Sequence, residues 1–163
     1  MIKTIFFDFG NVIGHFDHWR SVHRLAKHTD MLTLFTDQEV RTNAVTVIIS
    51  GNRPLELVAG ETNRLAALDG RLSDLEKLPP RSVMPLISDN WPNHFTWRGA
   101  GEVPESEMTK LRALVARLHE QGRRVRFWGM PDVPVSWKLQ YEAGVDLINT
   151  DTLAELAAWL VVR

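Results

Sequence analysis

Short apolar segments that end in polar or glycine residues, each followed by a helical pattern, constrain the fold of this chain most strongly. The clearest covers residues 45–49, is rich in β-branched residues, ends at Ser50-Gly51-Asn52 and leads into a helical pattern from Leu55. β-Branched runs favour strands, and a tight polar loop lets the chain turn into a helix. Strands that alternate with helices on short loops predict a parallel sheet with right-handed crossovers.

The same alternation recurs along the whole chain. Further strands are predicted at residues 5–7, 65–68, 84–87, 123–128 and 145–148, and further helices at residues 104–121, 135–144 and 153–160. We therefore predict an α/β fold with five or six mainly parallel strands alternating with helices, arranged as a half-barrel-like or open sheet. The length of 163 residues fits a single α/β domain over residues 1–163.

Composition excludes several classes of function. The net charge of −1 argues against nucleic-acid binding, and no segment is long and apolar enough to span a membrane. The chain has no cysteine, which excludes disulfides and thiolate metal sites. The first residues lead directly into a strand pattern without the apolar segment of a secretory signal, so the chain as encoded is expected in the cytoplasm.

Polar and aromatic residues follow the predicted strands. In parallel α/β folds, ligands bind where the carboxyl ends of the strands meet the following loops. The candidate ligand-binding residues at these ends are Asn52, Arg53, Asp69, Arg71, Asp89, Trp91, Trp128 and Asn149. They predict a pocket for a polar or phosphorylated molecule, with tryptophan walls and arginines for an anion. The alternative is that strand-end polar residues cap helices and fix loops, which we favour for Ser50, Asp132 and Asp151. For Trp91 and Trp128, packing in the core is an equal alternative to lining the pocket.

The first strand ends at an aspartate, Asp8, within the sequence Phe-Asp-Phe-Gly-Asn-Val-Ile of residues 7–13. This stretch resembles the opening of haloacid-dehalogenase-like phosphatases, and the resemblance covers the chain to about residue 30. It implies that Asp8 is a catalytic nucleophile toward a phosphoryl group and a ligand of Mg²⁺. The general-acid position of that family is occupied here by Gly10.

A second resemblance extends from about residue 30 to residue 163. Its strand-end stretches are residues 44–54, 67–72, 85–91, 122–132 and 143–151. They resemble the carboxy-terminal half of bacterial phospholipase C-like or glycerophosphodiester phosphodiesterase-like TIM-barrel proteins of the altered-inheritance-of-mitochondria type. The resemblance implies phosphodiester chemistry with a divalent cation, Mg²⁺ or Ca²⁺, and no other cofactor. The catalytic histidines and metal ligands of that family would lie on earlier strands, which this chain lacks.

Two resemblances in one chain imply a fusion junction near residues 28–34. The first interpretation is a fragment or rearranged member of the phosphodiesterase family, with phosphoric diester hydrolysis weak or lost and its status as an enzyme uncertain. The second is a Mg²⁺-dependent phosphatase that uses Asp8, and the third is a non-catalytic α/β domain. A phosphorylated or phosphodiester small molecule is the expected ligand, and open sheet edges predict a homodimer. Full-length relatives would be exported if they carry a leader.

Overall fold

The computed structural model describes residues 4–7, 23, 24, 26, 27, 30–77 and 79–162, with residues 4–7 described as backbone. The chain divides into two compact units, Met1–Pro85 and Leu86–Arg163. The candidate nucleophile Asp8 lies outside the described residues, as does part of the expected junction at residues 28–34. The prediction of a single domain remains a prediction.

Unit 1 contains a parallel sheet and a small antiparallel sheet. Its elements in chain order are β1 (Thr4–Phe7), β2 (Leu34–Thr36), β3 (Val40–Arg41), β4 (Thr46–Ile49), helix α1 (Leu55–Ala59), β5 (Asn63–Arg64), β6 (Ala66–Gly70) and a 3-10 helix over Leu72–Lys77. β4 pairs in parallel with both β1 and β6. β2 pairs antiparallel with both β3 and β5.

The core of unit 1 forms around the two central parallel strands. Every residue of β4 and β6 is buried, as expected for strands covered on both faces. Their apolar side chains join a cluster made of Leu32, Val47, Ile49, Val58, Ala66, Leu68 and Val83. Ile49 is opposite Leu68 in the register of the pair. The residues that follow, Ser50 and Asp69, are therefore neighbours at the carboxyl ends of these strands.

The antiparallel sheet of unit 1 was not predicted from the sequence. Its strands have two or three residues, too few to show the alternation of apolar and polar residues that identifies a strand. Arg64 on β5 is fully buried, which no hydrophobic pattern would indicate. Its guanidinium donates to Asp37 Oδ1 (3.1 Å), to Ser82 Oγ (3.1 Å) and to the main-chain oxygen of Glu61.

Unit 2 contains three parallel strands and three α-helices among its described residues. In chain order they are β7 (Leu86–Asn90), a 3-10 helix over Trp91–Asn93, α2 (Glu105–Glu120), β8 (Arg124–Trp128), α3 (Pro134–Glu142), β9 (Leu147–Ile148) and α4 (Leu153–Val161). β8 pairs in parallel with both β7 and β9. Helix α2 buries Leu111, Val115 and Leu118 at helical spacing.

Three aromatic rings pack together in the core of unit 2. The indole of Trp91 stacks on Phe95 with ring centroids 4.0 Å apart, and both rings meet Phe127 edge-on at 5.5 and 5.6 Å. The Trp91 indole nitrogen donates to the main-chain oxygen of Trp97 at 2.8 Å. Offset and edge-on contacts of this kind stabilise aromatic pairs beyond the area they bury.

The predicted α/β fold class is confirmed, with six strands in parallel pairs, three in each unit. The predicted strand at residues 84–87 is displaced, because β7 begins at Leu86 and extends through Asn90. Ser88, Asp89 and Asn90 thus lie within the strand, where the alternation of its faces separates their side chains. No helix in the described part of the chain combines the length and the apolarity that crossing a bilayer requires.

Candidate functional site

Asp69, at the carboxyl end of β6, is the centre of a polar cluster in unit 1. Its side chain is 2% exposed. One carboxylate oxygen, Oδ2, accepts hydrogen bonds from Ser50 Oγ and from Arg71 Nη1, each at 2.8 Å. The other oxygen, Oδ1, is buried and has no hydrogen-bond partner among the described residues. A buried carboxylate oxygen without a donor is costly, so it marks a position where a ligand or water can donate.

Arg53 and Asp74 complete this cluster. Arg53 Nη1 donates to the main-chain oxygen of Asp69 at 3.1 Å and to Asp74 Oδ2. Asp74 Oδ2 also accepts the main-chain N–H of Arg71 at 2.7 Å. Burial by itself would raise the pKa of Asp74, but the donors from Arg53 and Arg71 outweigh it, and the pKa is lowered. Asp74 is therefore ionised at neutral pH and holds both arginines at the strand ends.

The arginines of the cluster reach solvent. The side chains of Arg53 and Arg71 are each 23% exposed. To the residues that the structure describes, Arg53 donates from Nη1 alone, although a guanidinium carries five N–H donors on three nitrogens. Its Nη2 and Nε groups can therefore receive a carboxylate or phosphate oxygen. Asn52 is exposed in the same β4–α1 loop.

The two carboxylates described in this cluster are each paired with an arginine: Asp69 with Arg71, and Asp74 with Arg53. The arginine charges offset those of these two carboxylates. Within the described residues, no group of three or more His, Cys, Asp or Glu could hold a metal ion. The predicted cation, Mg²⁺ or Ca²⁺, was expected at Asp8, which lies outside those residues.

The residues predicted from β7 in unit 2 occupy different environments. Asp89 is 8% exposed, and its Oδ2 accepts a hydrogen bond from His94 Nε2 at 3.0 Å. Its Oδ1 accepts the main-chain N–H of Asn90 at 2.7 Å. Trp91 is fully buried in the aromatic core described above. Asp89 thus fixes the turn after β7, and Trp91 packs inside unit 2 instead of facing an open surface.

A second polar row crosses the sheet of unit 2. Arg126 of β8 donates from Nη1 to Ser88 Oγ at 2.9 Å and from Nη2 to Asn149 Oδ1. Trp128 is on the same face two residues later and is 37% exposed. Arg126 thus connects Ser88 with Asn149, and Trp128 lies on the same face of β8. Their predicted role in ligand binding remains a prediction.

Asp132, in the loop after β8, is hydrogen-bonded to helix α3 and to the loop of residues 150–152. Its carboxylate accepts hydrogen bonds from the Trp137 indole N–H, the Thr150 hydroxyl and the main-chain N–H groups of Asp151 and Thr152. Burial alone would raise its pKa, but these donors lower it below the ordinary value. Asp132 thus has the loop-fixing role favoured from the sequence. Ser50, by contrast, donates to Asp69, and helix α1 has no side-chain cap.

Two polar residues of these clusters, Asp74 and Arg126, were not predicted from the sequence. Asp74 lies in a 3-10 helix, and the sequence offers no strand-end signal for it. Arg126 lies inside β8, where residues 124, 126 and 128 alternate with buried residues. This alternation of period two was visible in the sequence and would have placed Arg126 on the face of Trp128.

Comparison with known proteins found no matching family model and no matching solved structure. Three curated relatives, all named Altered inheritance of mitochondria protein 6, are similar to the chain. The Zygosaccharomyces rouxii protein is 29% identical over 133 residues, which cover 68% of this chain and 33% of the relative. The Kluyveromyces lactis protein is 25% identical over 158 residues, or 75% of this chain and 38% of the relative. The Eremothecium gossypii protein is 31% identical over 127 residues, or 67% of this chain and 33% of the relative. The chain spans about a third of the length of these relatives.

These matches correct the family and the function predicted from the sequence. The relatives are yeast proteins named for the inheritance of mitochondria. The prediction instead named bacterial phospholipase C-like or glycerophosphodiester phosphodiesterase-like proteins of the altered-inheritance-of-mitochondria type. No match to a phosphodiesterase or to a haloacid-dehalogenase-like phosphatase was found. The assignments to hydrolase, phosphodiesterase and lipid metabolism were therefore wrong. Short polar stretches at strand ends recur in many α/β proteins, so they do not identify a family.

Proposed function

We propose that unit 1 is a binding module for a small anionic molecule, such as a phosphorylated compound with a hydroxyl group. The observation that carries this proposal is the buried Asp69 Oδ1, which has no donor among the described residues and belongs to a cluster with two partly exposed arginines. A ligand hydroxyl would supply the donor that Asp69 lacks. The anionic group of the same ligand would bind the free donors of Arg53.

The proposed role of this cluster is to bind a ligand, without catalysing a reaction. Each carboxylate of the cluster is held by an arginine, so neither is a free nucleophile or base. The predicted ligand residues Asn52, Arg53, Asp69 and Arg71 therefore have binding roles in this proposal. Asp89, Trp128 and Asn149 are proposed only as parts of a separate polar surface of unit 2.

Isothermal titration calorimetry with inorganic phosphate and with glycerol 2-phosphate tests the binding site. The wild-type chain should bind both, and glycerol 2-phosphate more tightly, because it alone carries alcohol hydroxyls, which can donate to Asp69 while its phosphate group binds Arg53. Arg53→Gln should weaken both by about tenfold, the equivalent of about 1.4 kcal/mol. Asp69→Asn should remove the advantage of glycerol 2-phosphate.

The matched control is Arg41→Gln, which makes the same change of charge on the exposed antiparallel sheet of unit 1. Its affinities for phosphate and for glycerol 2-phosphate should stay within twofold of the wild-type values. Circular dichroism of each variant checks that the fold is retained. Equal affinity in Arg53→Gln and the wild type, or no binding heat with any chain, would refute the site.

We further propose that the chain acts in the inheritance of mitochondria, from a cytoplasmic location. The support is the name shared by its three relatives. The test replaces the matched segment of the Kluyveromyces lactis relative with this chain and scores mitochondrial inheritance in dividing cells. Restoration by the wild-type segment but not by its Arg53→Gln form would link the process to the binding site. Failure of both segments would overturn this part of the proposal and leave the binding site to be judged by calorimetry.

A further inference from the structure

The outward side of helix α4 is apolar, which is unusual for a helix at a protein surface. The residues on it, called here the α4 face, are Leu153, Ala154, Ala157, Leu160 and Val161, and all are exposed. They recur at the three- and four-residue spacing of one helix side. Leu153 is 75% exposed and Val161 is 85% exposed. Surface helices ordinarily carry charged or polar residues on this side.

The opposite side of α4 already has its own partners. Leu156 is buried, and the Trp159 ring meets Trp137 and Tyr141 edge-on, with centroids 6.2 and 5.9 Å apart. The α4 face is therefore additional to the contacts that attach the helix to unit 2. Glu155 is the single charged residue within the bounds of α4. An exposed apolar surface of this kind marks an interaction site.

We propose that the α4 face is a homodimer interface, on which a second copy of the chain packs its own α4 antiparallel across a two-fold axis. A two-fold interface places the same surface on itself, so it must be self-complementary. The α4 face meets this condition because it carries no charge that would be repelled by its copy. Ala154 and Ala157 leave room for the two helix axes to approach closely.

The exposed area agrees with a weak dimer. Complete burial of one Leu or Val side chain removes about 60–120 Å² from water, so the exposed parts of the α4 face, Tyr141 and Val162 amount to roughly 400 Å². Homodimer interfaces are about 65% apolar, which implies roughly 600 Å² buried per copy. Stable interfaces of standard size bury about 800 Å² per partner. This area is below the standard size, so we expect the dimer to dissociate on dilution in the micromolar range.

Two other occupants are less consistent with the observations. An anionic membrane surface attracts helices with Lys or Arg on their polar side, and α4 has neither within its bounds. The sequence predicted pairing through open sheet edges. In unit 2 the edge strand β9 has only two residues, so it offers few main-chain hydrogen bonds to a second copy. We therefore place the interface on the α4 face and not on the edge of β9.

Sedimentation velocity between 1 and 200 µM tests the interface. The wild-type chain should shift from monomer to dimer across this range. Antiparallel packing puts Leu153 of one copy near Val161 of the other, so L153E alone and V161K alone should each weaken the dimer at least tenfold. An equimolar mixture of the L153E and V161K chains should recover dimerisation, because opposite charges then meet. Leu57→Glu is the control, since Leu57 is 54% exposed on helix α1 of unit 1.

Three results would overturn the proposal. The first is a wild-type monomer at 200 µM, including one that instead co-sediments with phosphatidylcholine vesicles. The second is a dimer weakened equally by Leu57→Glu and L153E. The third is a mixture of L153E and V161K chains that remains monomeric while the wild type dimerises, which would exclude the antiparallel arrangement.

Discussion

Replacement of Asp132 by Asn should destabilise unit 2. It should also reduce the loss of stability that the wild-type chain shows at acidic pH. The carboxylate accepts four hydrogen bonds between 2.7 and 3.1 Å, from Trp137, Thr150, Asp151 and Thr152. An amide has one oxygen in place of two, so at least the Trp137 donor or the Thr150 to Thr152 donors lose their acceptor. The bonds that remain are no longer charge-assisted. Hydrogen bonds to charged groups contribute about 1.5–3 kcal/mol, against about 0.5–1.5 kcal/mol for neutral ones.

The expected loss in Asp132→Asn is therefore about 2–3 kcal/mol, or a fall in melting temperature of about 4–12 °C for a chain of this size. Tryptophan fluorescence suits the measurement, because five of the six tryptophans lie in the range of unit 2. Asp151→Asn is the matched control: it lies in the fastened loop, and its side chain is exposed. It should change stability by less than about 0.5 kcal/mol.

The pH dependence gives an independent check on Asp132. Its pKa is lowered in the folded chain, so ionised Asp132 stabilises the fold at every pH above the ordinary aspartate value of 3.8. This stabilisation is lost as the pH falls below that value toward the lower pKa of the folded state. The difference in melting temperature between wild type and Asp132→Asn should be constant from pH 5 to 7 and shrink below pH 4. Equal melting temperatures at pH 7, or a difference that grows in acid, would refute the reasoning.

Two further predictions concern packing and buried charge. Gly129 has φ 72°, and a Cβ there would displace the end of the Asn90 side chain, so Gly129→Ala should cost about 2 kcal/mol, from the left-handed backbone and the movement of Asn90. Gly101→Ala, with φ 70° and open space around the site, should cost only about 1 kcal/mol, and equal urea midpoints for the two variants would contradict the movement of Asn90. Arg64→Lys should cost about 2 kcal/mol, because a lysine cannot keep the forked hydrogen bonds of the buried guanidinium. Asp37→Asn should cost less than about 1 kcal/mol, since Asp37 is 63% exposed, and a larger loss than in Arg64→Lys would show that the ion pair dominates.

The sequence predicted the parallel strands and the longer helices because their signals are local. The buried strand Thr46–Ile49 and the amphipathic helix Glu105–Glu120 match the predicted elements to within a residue or so. The antiparallel sheet depends on contacts between strands of two or three residues, and no local pattern reports such contacts. The same limit hid the buried role of Arg64, whose partners are 27 and 18 residues away.

The candidate site was predictable in part for the same reason. Asp69 lies near the carboxyl end of β6 and Arg71 follows that strand, and this position alone indicated a polar edge. The pairing of Ser50 with Asp69 depends on the register between β4 and β6, which the sequence does not reveal. For Trp91 the sequence left pocket lining and core packing open, and the structure shows its ring packed in the core of unit 2. The family assignment failed because short strand-end matches cannot separate one α/β family from another.

The central claim, that Arg53 binds an anion beside the unpaired oxygen of Asp69, is tested most directly by nitrogen-detected NMR of the arginine side chains during a phosphate titration. The account predicts that the Arg53 Nε–Hε signal shifts and saturates with the affinity measured by calorimetry, whereas the signal of the exposed Arg41 does not. It also predicts that, at a subsaturating concentration of glycerol 2-phosphate, the shift of the Arg53 signal is smaller in Asp69→Asn than in the wild type. An Arg53 signal that stays unchanged at saturating phosphate, or that shifts no more than that of Arg41, would contradict the claim.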